Sequence, residues 1–135
     1  MKKILLFLVM LLNVAATFAS GFSAANTDGV TINYEITNVD DKTVAVTSGS
    51  TPYSGSVNIP STVTNENTMY TVTSIYYSAF KSCSDLTSVA IPSSVTSILD
   101  YAFTYCTKLT TVTFGENSEL TSIADYAFSG CTGLT

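Results

Sequence analysis

The sequence predicts an α/β repeat solenoid of short strands and short helical turns, preceded by a small N-terminal β cap. One observation is the segment Thr-Ser-Ile-x-x-x-Ala-Phe-x-x-Cys-x-x-Leu, which occurs three times with its cysteines 23 and 25 residues apart. A repeat of this length forms one coil that cannot close its own core, so that coils stack on their neighbours. The second observation is that the preceding residues show the two-residue alternation of β-strands instead.

The N-terminus has the order of a secretory signal peptide. Lys2 and Lys3 precede an apolar run from Ile4 to Leu12, and small residues follow that run. The run is too short to span a bilayer comfortably. We predict cleavage after Ala19, with Ala16 as the alternative, and no membrane span once the signal is removed. The predicted organisation is a signal peptide at 1–19, a β cap at 20–68 and repeats at 69–135, the third repeat incomplete.

The charge of the chain narrows the classes of partner. It has ten acidic residues, five Lys, no Arg and a net charge of −5, and loss of Lys2 and Lys3 makes the mature chain still more negative. Such a chain neutralises phosphates poorly, which argues against nucleic acid. His is absent, and no spacing singles out an acid–base pair or an activated nucleophile. We therefore predict no enzyme, no catalytic residue and no cofactor.

The N-terminal region is predicted to form the β cap. Apolar and polar residues alternate from Val30 to Ile36, which indicates a half-buried strand. Asp28, Asp40 and Asp41 do not have the spacing of a calcium loop and are interpreted as turn residues. Further strands are predicted at Thr43–Thr47, Ser56–Ile59 and Met69–Ile75, with a loop at 48–55 and turns at 38–42 and 65–67.

Each coil is predicted to contain a strand, a short extended segment and a helical turn. Leu86-x-x-Val89-x-Ile91 has the pattern of a strand with one buried face, and the following proline ends it because it has no N–H. The apolar residues from Ile98 to Leu109 recur at spacings of four, four and three, which we interpret as one face of a helical turn. Aspartates at the start of this turn, Asp100 and Asp125, are predicted caps.

The cysteines occupy equivalent positions of the three coils. Three is an odd number for disulfides, and a metal site would need nearby His or a close Cys pair. We interpret them as small buried hydrophobic residues and predict no metal site. The predicted repeat core consists of Ile75, Phe80, Cys83, Leu86, Val89, Ile91, Ile98, Phe103, Cys106, Leu109, Val112, Ile123, Phe128 and Cys131.

The pattern Leu-x-x-Val-x-Ile-Pro-x-x-Val-x-x-Ile-x-x-x-Ala-Phe-x-x-Cys-x-x-Leu at 86–109 closely resembles the BspA-like class of leucine-rich repeats. The resemblance covers residues 69–135, and Ile59-Pro60-Ser61 echoes the pattern earlier in the chain. It implies a leucine-rich-repeat-like solenoid in a bacterial secreted or surface protein. It also implies adhesion to host matrix proteins, host cells or other bacteria, and brings no catalytic residues. Members usually continue for several more repeats, whereas this sequence stops at Thr135.

Two kinds of side chain are candidates for a partner-binding surface, for an extracellular protein or glycan. Rows of aligned Ser and Thr would present hydroxyls, although Thr also suits strands and Ser suits solvent. Tyrosines recur near the predicted helical turn at Tyr76, Tyr77, Tyr101, Tyr105 and Tyr126, where they would contact a partner or pack between coils. The predicted surface is Thr87, Ser88, Thr110, Thr111, Thr113, Tyr101 and Tyr126. The alternatives are a spacer that binds nothing and a fragment of a longer repeat protein.

The last coil is predicted to be incomplete. Leu134 begins a strand that Thr135 does not finish, which leaves an apolar face without a partner. We expect this coil to fray or the isolated chain to self-associate through its open C-terminal end. With only two complete coil-to-coil spacings, the β cap would have to supply much of the core.

Overall fold

The computed structural model describes residues 21–135, so the predicted signal peptide at 1–19 lies outside the described residues. Within this range the chain contains no α-helix, and therefore none that is long and apolar enough to cross a membrane. The strands, numbered in chain order, are β1 (Gly21–Ala25), β2 (Thr31–Asn38), β3 (Thr43–Thr47), β4 (Gly55–Asn58), β5 (Thr62–Asn65), β6 (Thr68–Ile75), β7 (Leu86–Ile91), β8 (Ser97–Ile98), β9 (Thr111–Phe114) and β10 (Ser122–Ile123).

The strands form two sheets along the solenoid. The first sheet has the order β1-β2-β3-β6-β8-β10, with β5 paired to β6, and the second has the order β4-β7-β9. In the first sheet Ile75 pairs with Ile98, and Ile98 pairs with Ile123, in parallel register. In the second sheet Val89 pairs with Val112 in the same sense. Each coil therefore adds one strand to each sheet, and the repeat solenoid that the sequence predicts is present.

Turns, not helices, form the third side of the solenoid, which we call the turn side (76–85, 99–108 and 124–133). The N–H of Phe103 donates to the carbonyl of Ala127 at 2.7 Å, and the N–H of Tyr105 donates to that of Ser129 at 2.8 Å. These donors bond to the next coil and not to the carbonyl four residues earlier, as a helix requires. The α/β part of the predicted fold class, with its helical turns, is therefore wrong.

The spacing that suggested a helix reflects an inward row of side chains. Ala102, Cys106 and Leu109 are fully buried, and a chain of tight turns can point them inward as well as a helix can. The predicted cap at Asp100 is also wrong, because its carboxylate accepts the N–H of Asp125 in the next coil at 3.1 Å. The predicted cap at Asp125 is wrong as well, because the residues that follow it form turns and no helix.

A stack of aromatic rings runs through the interior. The rings of Phe80 and Phe103 lie 4.8 Å apart between centroids, at 8° to one another. The rings of Phe103 and Phe128 lie 5.0 Å apart at 1°. Tyr53, from the loop before β4, covers the other end of the stack at 4.6 Å from Phe80. The interior is thus continuous from the N-terminal loop to the last coil.

Most of the predicted repeat core is buried, but two members are half-buried and one is exposed. Val112 and Phe128 are half-buried, whereas the side chain of Ile123 is 52% exposed. The prediction that Ile123 belongs to the core is wrong, because β10 is the edge strand of the first sheet and no strand of the described chain covers it. The buried members are Ile75, Phe80, Cys83, Leu86, Val89, Ile91, Ile98, Phe103, Cys106, Leu109 and Cys131.

The N-terminal strands continue the first sheet directly. β1 pairs with β2 and β2 pairs with β3, both antiparallel, and β3 then pairs in parallel with β6. β4 belongs to the second sheet, where it pairs in parallel with β7. The β-strands before residue 68 therefore share both sheets with the repeats and do not form a separate layer.

Candidate functional site

The turn side carries three of the four exposed aromatic side chains of the described chain. Tyr77 is 58% exposed, Tyr105 is 57% exposed and Tyr126 is 63% exposed. Tyr101 lies among them and is half-buried. We call Tyr77, Tyr101, Tyr105 and Tyr126 the tyrosine row. Tyr76, which the sequence also indicated, is half-buried beside it.

Three rings of the row contact one another from coil to coil. The rings of Tyr101 and Tyr126 are stacked, with 5.4 Å between centroids and 5° between planes. Tyr77 meets Tyr101 edge-on, with 6.0 Å between centroids and 80° between planes. Such aromatic contacts restrict the motion of exposed rings. The predicted surface residues Tyr101 and Tyr126 are therefore brought together.

The backbone under the row is unusual for tyrosine. Tyr101, Tyr105 and Tyr126 have φ of 59°, 60° and 58°, in the left-handed region. A residue with a Cβ is strained there by roughly 1–2 kcal/mol. The equivalent positions in other coils are occupied by Ser78, Ser82 and Gly130, which have φ of 55°, 59° and 72°.

The turn conformation therefore recurs with small side chains, so the backbone does not require the rings. The ring of Tyr105 instead rests on Gly130, where an added Cβ would lie 2.5 Å from the ring carbon Cδ1. Left-handed residues with bulky side chains concentrate at functional sites, where strain is tolerated for a reason other than stability.

Charged groups flank the tyrosine row. Asp100 and Asp125 directly precede Tyr101 and Tyr126, and both aspartates are exposed. The ammonium Nζ of Lys81 lies 5.9 Å from the centroid of the Tyr101 ring. Lys81 is not among the predicted surface residues. When the coils are aligned in sequence, Lys81 is equivalent to Thr104 and not to a tyrosine. Its ammonium group lies over the ring of Tyr101 because Lys81 and Tyr101 belong to stacked, adjacent coils.

The hydroxyl rows of the second sheet are partly used by the stack itself. The hydroxyl of Thr110 donates to the carbonyl of Thr87 at 3.2 Å. The hydroxyl of Ser88 donates to that of Ser56 at 2.7 Å. These hydroxyls link neighbouring coils, so part of the predicted surface serves to hold coils together.

Thr111 and Thr113 leave their hydroxyls more accessible. Both are exposed on β9, and they pair with Ser88 and Ala90 of β7. The residue of β7 that pairs with Thr113 is Ala90, which has no hydroxyl. Thr113 therefore presents a single hydroxyl and does not continue a row of hydroxyls across the two strands. Ser88, Thr111 and Thr113 thus share the outward face of the second sheet. Thr87 directly precedes Ser88 and Thr110 directly precedes Thr111, so these two do not belong to that face.

The cysteines lie inside the stack as free thiols. The thiol of Cys106 donates to the carbonyl of Phe80 at 3.0 Å, and that of Cys131 donates to the carbonyl of Phe103 at 2.9 Å. Burial, together with the smaller effect of the neighbouring thiols of Cys131 and Cys83, raises the pKa of Cys106 to about 12. Such thiols stay protonated near neutral pH and are poor nucleophiles.

Metal ligands do not gather elsewhere in the part of the chain that the structure describes. Among residues 21–135, no three His, Cys, Asp or Glu side chains are grouped closely enough to hold a metal ion. A cleft of about 410 Å³ lies between the N-terminal strands and the loop before β4. Its lining includes the buried Tyr53 and is otherwise mostly Ser, Thr and Asn side chains, without a charged group.

The sequence and the fold are both similar to those of known repeat proteins. Residues 53–135 match the family model described as BspA type leucine rich repeat region (6 copies). The sequence pattern predicted that the repeats begin at residue 69, whereas the family match begins at residue 53. Among curated proteins, no sequence matches the chain.

Several solved structures are similar over most of the chain. A leucine-rich cell surface protein from Faecalibacterium prausnitzii is 31% identical, with a TM-score of 0.68 over 84% of this chain and 29% of that chain. A leucine-rich repeat protein from Bacteroides ovatus is 35% identical, with a TM-score of 0.65 over 77% of this chain and 27% of that one. A leucine-rich repeat protein from Bacteroides capillosus is 32% identical, with a TM-score of 0.66 over 84% and 78%. The chain spans less than a third of the length of the first two.

Proposed function

The chain belongs to the BspA-type leucine-rich repeat family, and on that premise we propose that it is a secreted or surface-held binding module. Its partner would be an extracellular protein, which contacts the tyrosine row on the turn side. The family membership and a relative described as a leucine-rich cell surface protein support this proposal. Among residues 21–135, neither the buried thiols nor the exposed carboxylates form a constellation that suggests an enzyme.

Export is the first part of the proposal. It is supported by the order of charged, apolar and small residues from Met1 to Ala19. Expression of the full sequence in a bacterium should release a chain that begins at Ser20, and intact mass spectrometry would detect it. A chain that keeps Met1 and remains in the cytoplasm would contradict this part of the proposal.

The observation that carries the binding proposal is the placement of bulky rings where the backbone favours small residues. Tyr101 and Tyr126 lie in left-handed turns, stacked and accessible to solvent. Tyrosine is enriched among the residues that dominate binding energy. It also provides a large contact area with few rotatable bonds, so little conformational entropy is lost on binding. The stack between Tyr101 and Tyr126 reduces that loss further.

A second candidate surface is the exposed face of the second sheet. It is favoured by Thr111 and Thr113, whose accessible side chains could form hydrogen bonds with a glycan or a protein. It presents less apolar area than the tyrosine row and so offers a weaker energetic basis for a tight contact.

Solid-phase binding of the mature chain to immobilised matrix proteins and glycans tests the proposal. Tyr126→Asn removes the ring while keeping a residue that tolerates the left-handed conformation. We expect it to weaken binding by about tenfold, as loss of a dominant contact residue does. The matched variant Thr111→Ala alters the other candidate surface and should bind like the parent chain.

Two results would count against the proposal. Saturable binding that Thr111→Ala weakens and Tyr126→Asn does not would move the site to the second sheet. No saturable binding to any protein or glycan, with no effect of charge reversals on the exposed faces, would favour a spacer without a ligand.

A further inference from the structure

The chain itself places a cation on the tyrosine row. The ammonium of Lys81 lies 5.9 Å from the centre of the Tyr101 ring. The faces of aromatic rings attract ammonium and guanidinium groups within about 6 Å. Within residues 21–135 the ion pair is the one between Lys108 and Asp85, so no carboxylate of that range holds Lys81. The position of Lys81 is therefore an intramolecular example of a cation on this surface.

The other charged side chains of the turn side also favour a bound cation. Lys108 and Asp85 form an ion pair at 2.7 Å and offset one another. Asp100 and Asp125 then remain as exposed carboxylates beside the rings. The N–H of Asp125 donates to the carboxylate of Asp100 at 3.1 Å, which holds that carboxylate next to Asp125. Carboxylates next to ring faces favour cations over neutral or anionic groups.

Within residues 21–135, no cation lies over the ring of Tyr126. One face of Tyr126 stacks on Tyr101, and the side chain remains 63% exposed. The residue equivalent to Lys81 in the second coil is Thr104, which is buried and donates to the carbonyl of Tyr126 at 2.6 Å. Tyr126 and Asp125 thus form an aromatic face and a carboxylate that no cation of the described chain occupies.

We propose that the tyrosine row is selective for cationic side chains, and that its partner presents a polypeptide segment rich in lysine or arginine. One cationic group of that segment lies over Tyr126, beside Asp125. This inference rests on the proposed function, because it names the chemistry of the partner that binds the same surface. A neutral glycan can also stack on tyrosine, but it gains little from the carboxylates and does not compete with Lys81.

A titration followed by nuclear magnetic resonance tests the selectivity directly. The probe is a short peptide of alternating lysine and glycine, added to the mature chain at low salt. The control probe is the same peptide with every lysine Nε-acetylated, which keeps the stems and removes the charge. We expect saturable shifts at the amides of Asp125 and Tyr126. The acetylated peptide should bind about tenfold more weakly, as expected when a cation–π contact and an exposed ion pair are both lost.

Two variants give opposite expected effects. Asp125→Asn should weaken binding of the lysine peptide by about two- to fivefold, the range of one exposed ion pair. Lys81→Gln should strengthen it by about two- to fivefold, because it frees the face of Tyr101 and removes a like charge. A role of Lys81 in stability alone would not raise the affinity. Glu116→Gln removes the same charge as Asp125→Asn from the loop between β9 and β10 and should leave the affinity near that of the parent.

Several results would overturn the inference. These are equal affinity for the two peptides, weaker binding after Lys81→Gln, and equal losses for Asp125→Asn and Glu116→Gln. Maltopentaose that binds at the same amides, unaffected by Asp125→Asn, would assign the row to neutral glycans. In that case the binding of a matrix protein that depends on Tyr126 would still support the proposed function. If no protein, peptide or glycan binds, both this inference and the proposed function are contradicted.

Discussion

The ring of Tyr53 packs against the ring of Phe80, with 4.6 Å between their centroids, and its hydroxyl reaches the strands on the other side. The backbone N–H of Asn33 donates to this hydroxyl at 3.0 Å, and its side-chain amide does so at 3.2 Å. The hydroxyl in turn donates to the carbonyl of Thr47 at 2.8 Å. One side chain therefore joins β2 and β3 to the aromatic stack of the repeats.

Substitution of Tyr53 should separate the contribution of its ring from that of its hydroxyl. Tyr53→Phe leaves the N–H of Asn33 without its acceptor and should lower the free energy of unfolding by about 1–3 kcal/mol. Tyr53→Ala also removes the ring from Phe80 and should lower it by about 3–5 kcal/mol. Urea unfolding measures both. Parent-like stability of Tyr53→Ala would show that the N-terminal strands and the repeats do not share a core.

Truncation of the stacked phenylalanines should depend on their place in the stack. Phe103 is fully buried between Phe80 and Phe128, so Phe103→Ala should lower the free energy of unfolding by about 3–5 kcal/mol. Phe128 has the same position in the repeat but is half-buried. Phe128→Ala should therefore lower the free energy of unfolding by clearly less than Phe103→Ala. Equal losses would indicate that Phe128 is covered in solution, for example by another copy of the chain.

Glycine substitutions should distinguish backbone strain from a steric clash. Gly29 and Gly130 have φ of 79° and 72°, so alanine at either should cost about 1–2 kcal/mol through strain alone. At Gly29 no atom lies within 4 Å of the added Cβ, whereas at Gly130 the ring of Tyr105 lies 2.5 Å away. Gly130→Ala should therefore lower the unfolding midpoint more than Gly29→Ala. The double variant Gly130→Ala, Tyr105→Ser lacks the clashing ring, so its unfolding midpoint should return to near that of Gly29→Ala.

Stability should fall at alkaline pH. Burial raises the pKa of Cys106 from 9.0 to about 12, and it raises the pKa of Cys83 and Tyr53 as well. Between the pKa of the unfolded chain and that of the folded chain, the folded chain binds more protons, so the free energy of unfolding decreases as pH rises. The contribution of Cys106 is complete below pH 9.0 and is lost towards pH 12.

Urea midpoints measured across that pH range would show the decrease, and Cys106→Ala should make it shallower. A midpoint independent of pH would mean that the thiol is not desolvated in the folded chain. At neutral pH the three thiols should react with a thiol reagent only after urea unfolds the chain.

The strands were predictable where large apolar residues alternate. Thr43–Thr47 and Leu86–Ile91 have the predicted bounds, because alternation leaves one register that buries the apolar side chains. β1, at Gly21–Ala25, was missed because small residues dominate it and it follows the expected cleavage site. β5, at Thr62–Asn65, was missed because its single large apolar residue, Val63, gives no alternation.

The turn side shows why a helical interpretation failed. A spacing of three or four residues states which side chains point inward, and it does not state how the backbone between them is hydrogen-bonded. The N–H groups of Phe103 and Tyr105 bond to the next coil, and sequence periodicity contains no information about that choice. The left-handed conformation of Tyr101 was hidden for a related reason, since tyrosine is not a residue that signals it.

The candidate site was predictable only in part. Alignment of the repeats placed Tyr101 and Tyr126 in one column, and the structure brings their rings into contact. Lys81 belongs to another column of the alignment, so its position over Tyr101 depends on how adjacent coils are offset. The hydroxyls of Thr110 and Ser88 form hydrogen bonds with a neighbouring coil. Nothing in the sequence distinguishes them from hydroxyls that remain accessible to solvent.

Nitration of tyrosine, mapped by mass spectrometry in the free and partner-bound chain, tests the central claim most directly. If the tyrosine row is the binding surface, Tyr126 and Tyr105 should react readily in the free chain and be protected once a matrix protein or the lysine peptide is bound to saturation. Tyr34 and Tyr53 are buried and should stay unreactive in both states, which makes them internal controls. Unchanged nitration of Tyr126 at saturation would contradict the account.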